Sequence, residues 1–297
     1  MTSLPPRVVL VTRETELQAL MARHATLGQA RFFLEQRGQR IENVVARHDT
    51  QSRAIATARA AVPDDWTFAH VERGSLDRFL FAGNDLVVAL GQDGLVANLA
   101  KYLSGQPVFG VTPDAQAHES VLTTHEVATL GPLFRRHAAG DVDTSRRTMV
   151  EARVEGAGHL MALNEVFIGH RSHQSARYVL RVDGPEEFQS SSGVIFATGT
   201  GMTGWAKSIT EATHSPLSVT PTDATGAFLV REPWPSKHSG AQLRGGLVTE
   251  GAQISLASRI NDGGVIFADG IEQDFLRFDW GTEVTLGVAA QRLHLVV

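Results

Sequence analysis

Cysteine is absent from all 297 residues, which removes disulfides, thiolate zinc sites and cysteine nucleophiles together. Basic charge is not in surplus either. Lys and Arg number 27 against 32 Asp and Glu, for a net charge of −5 and a sequence pI near 6.2. The chain as a whole therefore lacks the electrostatic footprint that attracts a nucleic-acid backbone. No apolar run reaches membrane-spanning length, and the opening MTSLPPRVVLVT carries no apolar segment of the signal-peptide type. These absences predict a cytoplasmic protein with neither nucleic acid nor membrane as partner. Local motifs are missing as well. There is no GxSxG elbow and no GxxxxGK followed by Ser or Thr, so a serine hydrolase or a P-loop NTPase has no local support. THEVAT (124–129) lacks the second histidine of a zinc helix, and His170 with His173 has no carboxylate at metal spacing. No internal repeat and no low-complexity tract is present.

What is present reads as two domains. RVVLV (7–11) is a continuous apolar run suited to a strand covered on both faces. Helical spacing follows over 14–37 and again over 52–62, then a strand over 66–71, a helix over 75–81 and the strongly apolar LVVAL at 86–90. After a turn at 91–94, a helix over 95–103 and a strand over 106–113 complete an alternation that predicts an α/β layer with a parallel sheet. Beyond residue 130 the runs become short and β-rich, at 149–155, 164–169, 177–184, 193–198, 245–251, 252–258, 263–270 and 282–288. The polar, arginine-rich stretch 131–148 reads as a connection or an exposed hairpin, and the proline-bearing stretch 214–245 as irregular. The expectation is an α/β domain over residues 1–130 and a β-rich domain over 131–297.

Three stretches could carry chemistry. DLVVALGQDG ends a buried strand in a turn made of Gly91, Gln92, Asp93 and Gly94 and leads into a helix. Backbone N–H groups at such a helix start suit phosphate, and a carboxylate there can take a proton or stand beside a metal. The plain alternative is a turn aspartate that satisfies nearby backbone. SSGVIFATGTGMTGW (191–205) contains GxGxxG at Gly199, Gly201 and Gly204, with Asp223 at the distance of a ribose-binding acid. Its β-rich, antiparallel-looking surroundings disfavour a dinucleotide-binding βαβ turn, and threonines 198, 200 and 203 better suit a polar loop that binds a ligand. Trp205 could stack on a base or pack in the core. ALNEVFIG (162–169) places Asn164 beside Glu165, so the two face opposite sides of a strand unless the backbone bends. A bend would let the pair bind a ribose diol; otherwise the pair marks a solvated strand entry.

In that order the three stretches resemble those of the NAD kinase family, the mitochondrial-type animal enzymes more than the usual bacterial ones. GQDG (91–94) is similar to the family's GGDG turn, LNEVFIG (163–169) to its Asn-Glu motif and TGTGMTGW (198–205) to its glycine- and threonine-rich loop. RVVLV, VFGVTPD (108–114), SARYVLRVDG (175–184), SSG (191–193), VREP (230–233) and FADG (267–270) extend the resemblance along nearly the whole chain. It implies an N-terminal α/β domain, a β-rich C-terminal domain, an active site between them, and ATP-dependent phosphorylation of the 2′-hydroxyl of the adenosine ribose of NAD, with Mg²⁺. By the same resemblance Asp93 is the general base and a metal-side carboxylate, and Gly91, Gln92 and Gly94 border the nucleotide phosphates. Asn164 and Glu165 bind ribose hydroxyls. Ser192, Thr200, Gly201, Thr203 and Trp205 line the dinucleotide pocket, Ser192 standing where most bacterial members have an aspartate and Trp205 where they have a tyrosine. A homo-oligomer, dimer or tetramer, is implied too. Gln92 for the second glycine, Leu95 for the usual threonine and Thr112 for an asparagine depart from the pattern. They leave open a kinase of another hydroxyl, a sugar or nucleoside for example, and a silent nucleotide-binding protein.

Overall fold

In a computed structural model, which describes residues 5–115 and 120–297, the apolar run 7–11 lies within strand β1 (Arg7–Thr12), and Val8 to Val11 are all buried. The chain divides into two units, Met1–Ser145 with His294–Val297 and Arg146–Leu293.

In the first unit, β1 is followed by helices α1 (Glu16–His24), α2 (Leu27–Glu35) and α3 (Ile41–Ala60). Then come β2 (Thr67–Glu72), a 3₁₀ turn over Arg73–Arg78, β3 (Asp85–Leu90), α4 (Asp93–Ala100), β4 (Pro107–Thr112), the two-residue β5 (His125–Glu126) and α5 (Leu130–Ala138). Strand β1 pairs in parallel with β2 and β3, and β3 with β4, giving the order β2-β1-β3-β4. All six residues of β3 are buried, as a strand covered on both faces requires. One face packs Val8, Leu10, Leu86, Val88, Phe109 and Val111 against Ala54 and Ala58 of α3 and Leu133 and Phe134 of α5. Asp85, buried at the start of β3, is held by Arg7 through Nε at 2.8 Å and Nη2 at 2.7 Å, and by the Ala82 N–H at 2.7 Å. The strand order reverses between β1 and β3, and in open α/β sheets ligands sit above the carboxyl ends of strands at such a switch point. The turn 91–94 stands there.

Several local expectations are corrected. The single helix over 14–37 is two helices, because Ala25 adopts a left-handed φ of 60° and closes α1. Thr15 and Thr26 then cap α1 and α2 through the N–H groups of Gln18 and Gln29. Helix α3 begins eleven residues before 52, and the helix expected over 75–81 is the 3₁₀ turn. The stretch 131–148 is no mere connection. Leu130, Leu133 and Phe134 share one buried face of α5, while Arg135 and Arg136 stay outside.

The second unit is β-rich, as expected. Its strands are β6 (Thr144–Val154), β7 (Gly158–Ala162), β8 (Glu165–His170), β9 (Ala176–Val182), β10 (Glu186–Ser191) and β11 (Val194–Ala197). A 3₁₀ turn over Gly201–Thr203 leads into α6 (Trp205–Thr213), followed by β12 (Thr225–Val230), β13 (Gly245–Thr249), β14 (Gln253–Ser258), β15 (Gly264–Ala268), β16 (Leu276–Arg277) and β17 (Glu283–Val296). The last residues of β17 belong to the first unit, where His294 and Leu295 pair with β4. Within the stretch expected to be irregular, β12 is a fully paired strand between β11 and β13.

A six-stranded antiparallel sheet runs β13-β12-β11-β8-β15-β16. Its even-numbered residues Val166, Ile168, Val194, Phe196, Phe228, Val230 and Ile266 pack against Tyr178, Leu180, Ile254, Leu256, Val284 and Leu286 of β9, β14 and β17. Its odd-numbered Phe167, Ile195, Ala197, Leu229 and Val265 pack under Ala206, Trp205 and Ile209 of α6. Strand alternation thus assigns one face to the sandwich core and the other to the helix. The second face carries the residues singled out below. Among the described residues no helix is long and apolar enough to cross a membrane.

Candidate functional site

The turn after β3 answers first for its glutamine. Gln92 is the N-cap of α4 with φ −106° and ψ 166°, an extended conformation open to any residue, and its exposed side chain makes no capping bond. A side chain at 92 therefore carries no backbone strain. A Cβ on Gly94 would meet nothing within 4 Å, whereas one on Gly91 would press Leu95 Cδ2 at 3.2 Å. The fold's own packing does not require glycine at 94, and the space above it is open to an approaching group.

Asp93, the first residue of α4, bonds to its own chain through both carboxylate oxygens. Its Oδ1 accepts hydrogen bonds from Leu122 N at 3.0 Å, Thr123 N at 2.9 Å and Thr123 Oγ1 at 3.0 Å, and its Oδ2 accepts one from Val121 N at 2.7 Å. The carboxylate ties the segment 121–123 to the start of the helix. Gly110 lets the same segment lie on β4, since a Cβ there would be 1.8 Å from Leu122 O. Oδ2, with one donor, is the oxygen that keeps acceptor capacity.

In the second unit the Asn-Glu pair sits at a bend over 163–164 immediately before β8. Asp269, which follows β15 with φ 49°, makes the bend. Its carboxylate accepts from Leu163 N at 2.9 Å, Asn164 N at 2.7 Å and Glu165 N at 3.4 Å, and its own N–H donates to Glu165 O at 3.0 Å. The glycine and threonine loop docks on that bend. Thr198 N donates to Asn164 O at 2.9 Å, and Thr198 Oγ1 donates to Leu163 O at 2.5 Å while accepting from Gly201 N at 3.1 Å. A Cβ on Gly201 would lie 2.3 Å from Asn164 O, and one on Gly199 2.0 Å from Thr220 O. These glycines are needed because backbone packs on backbone.

Of the three threonines, Thr198 and Thr203 spend their hydroxyls on the protein, Thr203 Oγ1 donating to Thr200 O at 2.8 Å. Thr200 differs. It is 2% exposed, and its hydroxyl has no partner among the described residues, a cost that a bound polar group would relieve. Glu165 is buried beside Thr200's loop, and its side-chain carboxyl receives no hydrogen bond from the described residues. Burial first, and the Asp269 charge second, push its carboxyl up to about 7. Asp269 is the residue that sequence reasoning left without a role; its signal was an Asp-Gly pair ending an apolar strand.

Trp205 lies on the helix-covered face of the sheet, and Ser192 joins it through the backbone of Arg231. The Phe167 ring lies over Gly169 and Gly193, whose added Cβ atoms would come within 2.5 Å and 2.7 Å of it. Trp205 stacks on Phe167 with centroids 5.8 Å apart at 22°, and Phe267 lies 4.9 Å from Phe167 on its own account. The Arg231 guanidinium stands 5.0 Å over the Trp205 ring. Ser192 N donates to Arg231 O at 2.9 Å, and Arg231 N to Gly193 O at 2.9 Å. The dinucleotide-turn reading of 199–204 finds no βαβ unit, because β11 is antiparallel to both neighbours, and Asp223 accepts from Thr220 N at 2.8 Å in a local turn. Among the described residues no three His, Cys, Asp or Glu side chains gather to hold a metal ion.

No protein-family model matches the chain. Over 133 residues it is 32% identical to the NAD kinase of Acidithiobacillus ferrooxidans, covering 43% of this chain and 45% of that protein. Over 132 residues it is 34% identical to the NAD kinase of Heliobacterium modesticaldum, covering 42% and 46%. A longer alignment of 256 residues, 24% identical, reaches the mitochondrial NAD kinase 2 of Rattus norvegicus and covers 69% of this chain and 60% of that protein. In sequence the chain is thus similar to NAD kinases, over part of its length. The match to the two bacterial relatives spans less than half of their length. In fold, the chain is similar to yeast NADH kinase complexed with NADH, with TM-score 0.60, 14% identity, and 99% of this chain and 84% of that one covered. An Archaeoglobus fulgidus NAD kinase in complex with ATP gives TM-score 0.59 and 18% identity over 98% and 93%.

The Glu165 environment has a consequence for stability. A glutamate titrates near 4.5 when free and Glu165 near 7 when folded, so the folded state holds this proton longer than the unfolded chain. The contribution of the group is full below about pH 4.5 and is lost as pH rises toward 7. Replacing Glu165 with Gln is expected to raise the melting temperature above wild type near pH 8 and to leave it little changed near pH 4. Thermal melts with the same pH dependence in both proteins would contradict this.

Proposed function

We propose that this chain transfers the γ-phosphoryl group of ATP to the 2′-hydroxyl of the adenosine ribose of NAD, giving NADP and ADP, in the cytoplasm. The observation that carries the reading is the Asp269-held bend, which gathers Asn164, the buried Glu165 carboxyl and the docked loop bearing the unpartnered Thr200 hydroxyl. Proteins named NAD kinase are similar to part of the chain in sequence and to the chain in fold, which supports this reading. In this reading Asn164 and Glu165 bind ribose hydroxyls, and Thr200, Gly201, Thr203, Trp205 and Ser192 border the dinucleotide. Gly91 and Gly94 admit the triphosphate at the start of α4, where helix-end N–H groups favour negative charge. Gln92, exposed and unstrained, adds an amide donor there.

Asp93 takes the proton of the attacking hydroxyl at Oδ2, and its Oδ1, anchored by three donors, fixes the orientation of the carboxylate. The divalent cation arrives on the triphosphate; a hard ion of the Mg²⁺ type keeps phosphate and water ligands and needs few from protein. The short edge strand β13, with Leu247 half exposed, supports a homodimer that covers it. Light scattering that returned a monomer mass would contradict the dimer.

Purified protein with Mg-ATP and NAD should form NADP, read by an NADP-specific dehydrogenase. Asp93→Asn is expected to abolish NADP formation while NAD still binds. Because the amide would also face backbone N–H donors at 121–123, the variant should lose about 1–3 kcal/mol of stability, so turnover is compared at a temperature where both proteins are folded. A folded Asp93→Asn enzyme with wild-type turnover would remove Asp93 as the base. A wild-type protein that binds ATP and makes no NADP would turn the search to another hydroxyl acceptor.

A further inference from the structure

Arg231 is an arginine without an anion. It follows β12, where the register Val194↔Val230 places it across from Gly193. Its guanidinium lies 5.0 Å over the Trp205 ring, and among the described residues its one side-chain hydrogen bond is long, Nη1 to Ser192 O at 3.4 Å. Among the described residues no carboxylate pairs with it. The following Glu232 turns away into a left-handed conformation with φ 46° and is exposed.

The fold has built this position. Glycine is required at 193, where φ is +105° and a Cβ would meet Ile168 O at 2.6 Å and the Phe167 ring at 2.7 Å. The Phe167 ring fills the space above that glycine, Trp205 stacks on Phe167, and Arg231 lies on Trp205. A guanidinium over an indole face keeps N–H donors that an anion can take, and partial burial strengthens its pull on that anion. Residue 192 decides whether that charge is spent. Ser192 meets the guanidinium through its carbonyl and brings no charge, whereas an aspartate there would bring a carboxylate on the same residue.

We propose that Arg231, left unneutralised by Ser192, is the receptor for phosphate oxygens of the adenine dinucleotide bound by the C-terminal unit. This rests on the reading that the unit holds NAD. The phosphate can be the diphosphate bridge common to NAD and NADP or the 2′-phosphate that only the product carries.

Calorimetric titration with NAD and with NADP, on wild type, Arg231→Gln, Arg231→Lys and Ser192→Asp, tests this. Arg231→Gln is expected to weaken binding by about ten-fold or more, the range of a charge-assisted hydrogen bond. Ser192→Asp, which leaves the arginine in place and gives it an internal partner, should do the same. Arg231→Lys should recover part of the affinity, since an ammonium keeps the charge and loses the planar fork. Equal loss for both ligands assigns the diphosphate bridge, and loss for NADP alone assigns the 2′-phosphate. Folded Arg231→Gln and Ser192→Asp proteins that bind both ligands within two-fold of wild type would overturn the inference, even if wild type makes NADP. If wild type binds neither dinucleotide, titration with inorganic pyrophosphate decides. Uptake lost in both variants upholds Arg231 as a phosphate receptor while the NAD reading fails, and identical uptake in all three overturns it.

Discussion

One carboxylate organises the C-terminal unit. Asp269 takes the N–H groups of three consecutive residues, 163, 164 and 165, onto its two oxygens and returns its own N–H to Glu165 O. Successive amides can converge on one acceptor only where the chain bends, so the interaction both requires and holds the bend. The carbonyls of Leu163 and Asn164 are thereby turned toward Thr198, and the glycine and threonine loop docks on them. The same contact places a negative charge beside the buried Glu165, which holds its proton to about pH 7. A site with a buried, proton-retaining carboxyl and an unpartnered hydroxyl is an unfavourable feature in an empty fold, and such features mark places where a ligand completes the hydrogen bonding.

The strands were legible where the physics was local. Runs such as RVVLV and LVVAL are buried on both faces, and their unbroken apolar character says so. Helix breaks were less visible. Thr15 and Thr26 are ordinary capping residues, yet the apolar spacing runs across Ala25 and hides the left-handed residue that separates α1 from α2. The arginines of 131–148 masked an amphipathic helix whose three apolar residues reach the core, and the prolines around β12 masked a central strand.

The candidate site was legible in its motifs and not in its partners. Gly91, Asp93, Asn164 and Thr200 lie in short, recognisable stretches. The donors to Asp93 stand 28 to 30 residues away, and those to Asp269 more than a hundred. Spacing in the chain cannot report such pairings. The question that Gln92 raised was conformational, and an extended φ of −106° answers it. The reasons for the glycines also changed. Gly199, Gly201 and Gly193 serve close approach of the protein to itself, and Gly94 alone among those discussed faces open space. Asp93 satisfies backbone in a neighbouring segment, the plain alternative that its sequence offered, and its Oδ2 takes a single donor there.

Hydrogen–deuterium exchange of the whole chain with and without NAD tests the account most directly, because it reads the Asp269-held bend and its docked loop in the same experiment. NAD is expected to slow exchange at the amides of 163–165 and 198–205. Saturating NAD that leaves those amides unchanged, while protecting another part of the chain, would contradict the assignment of this site.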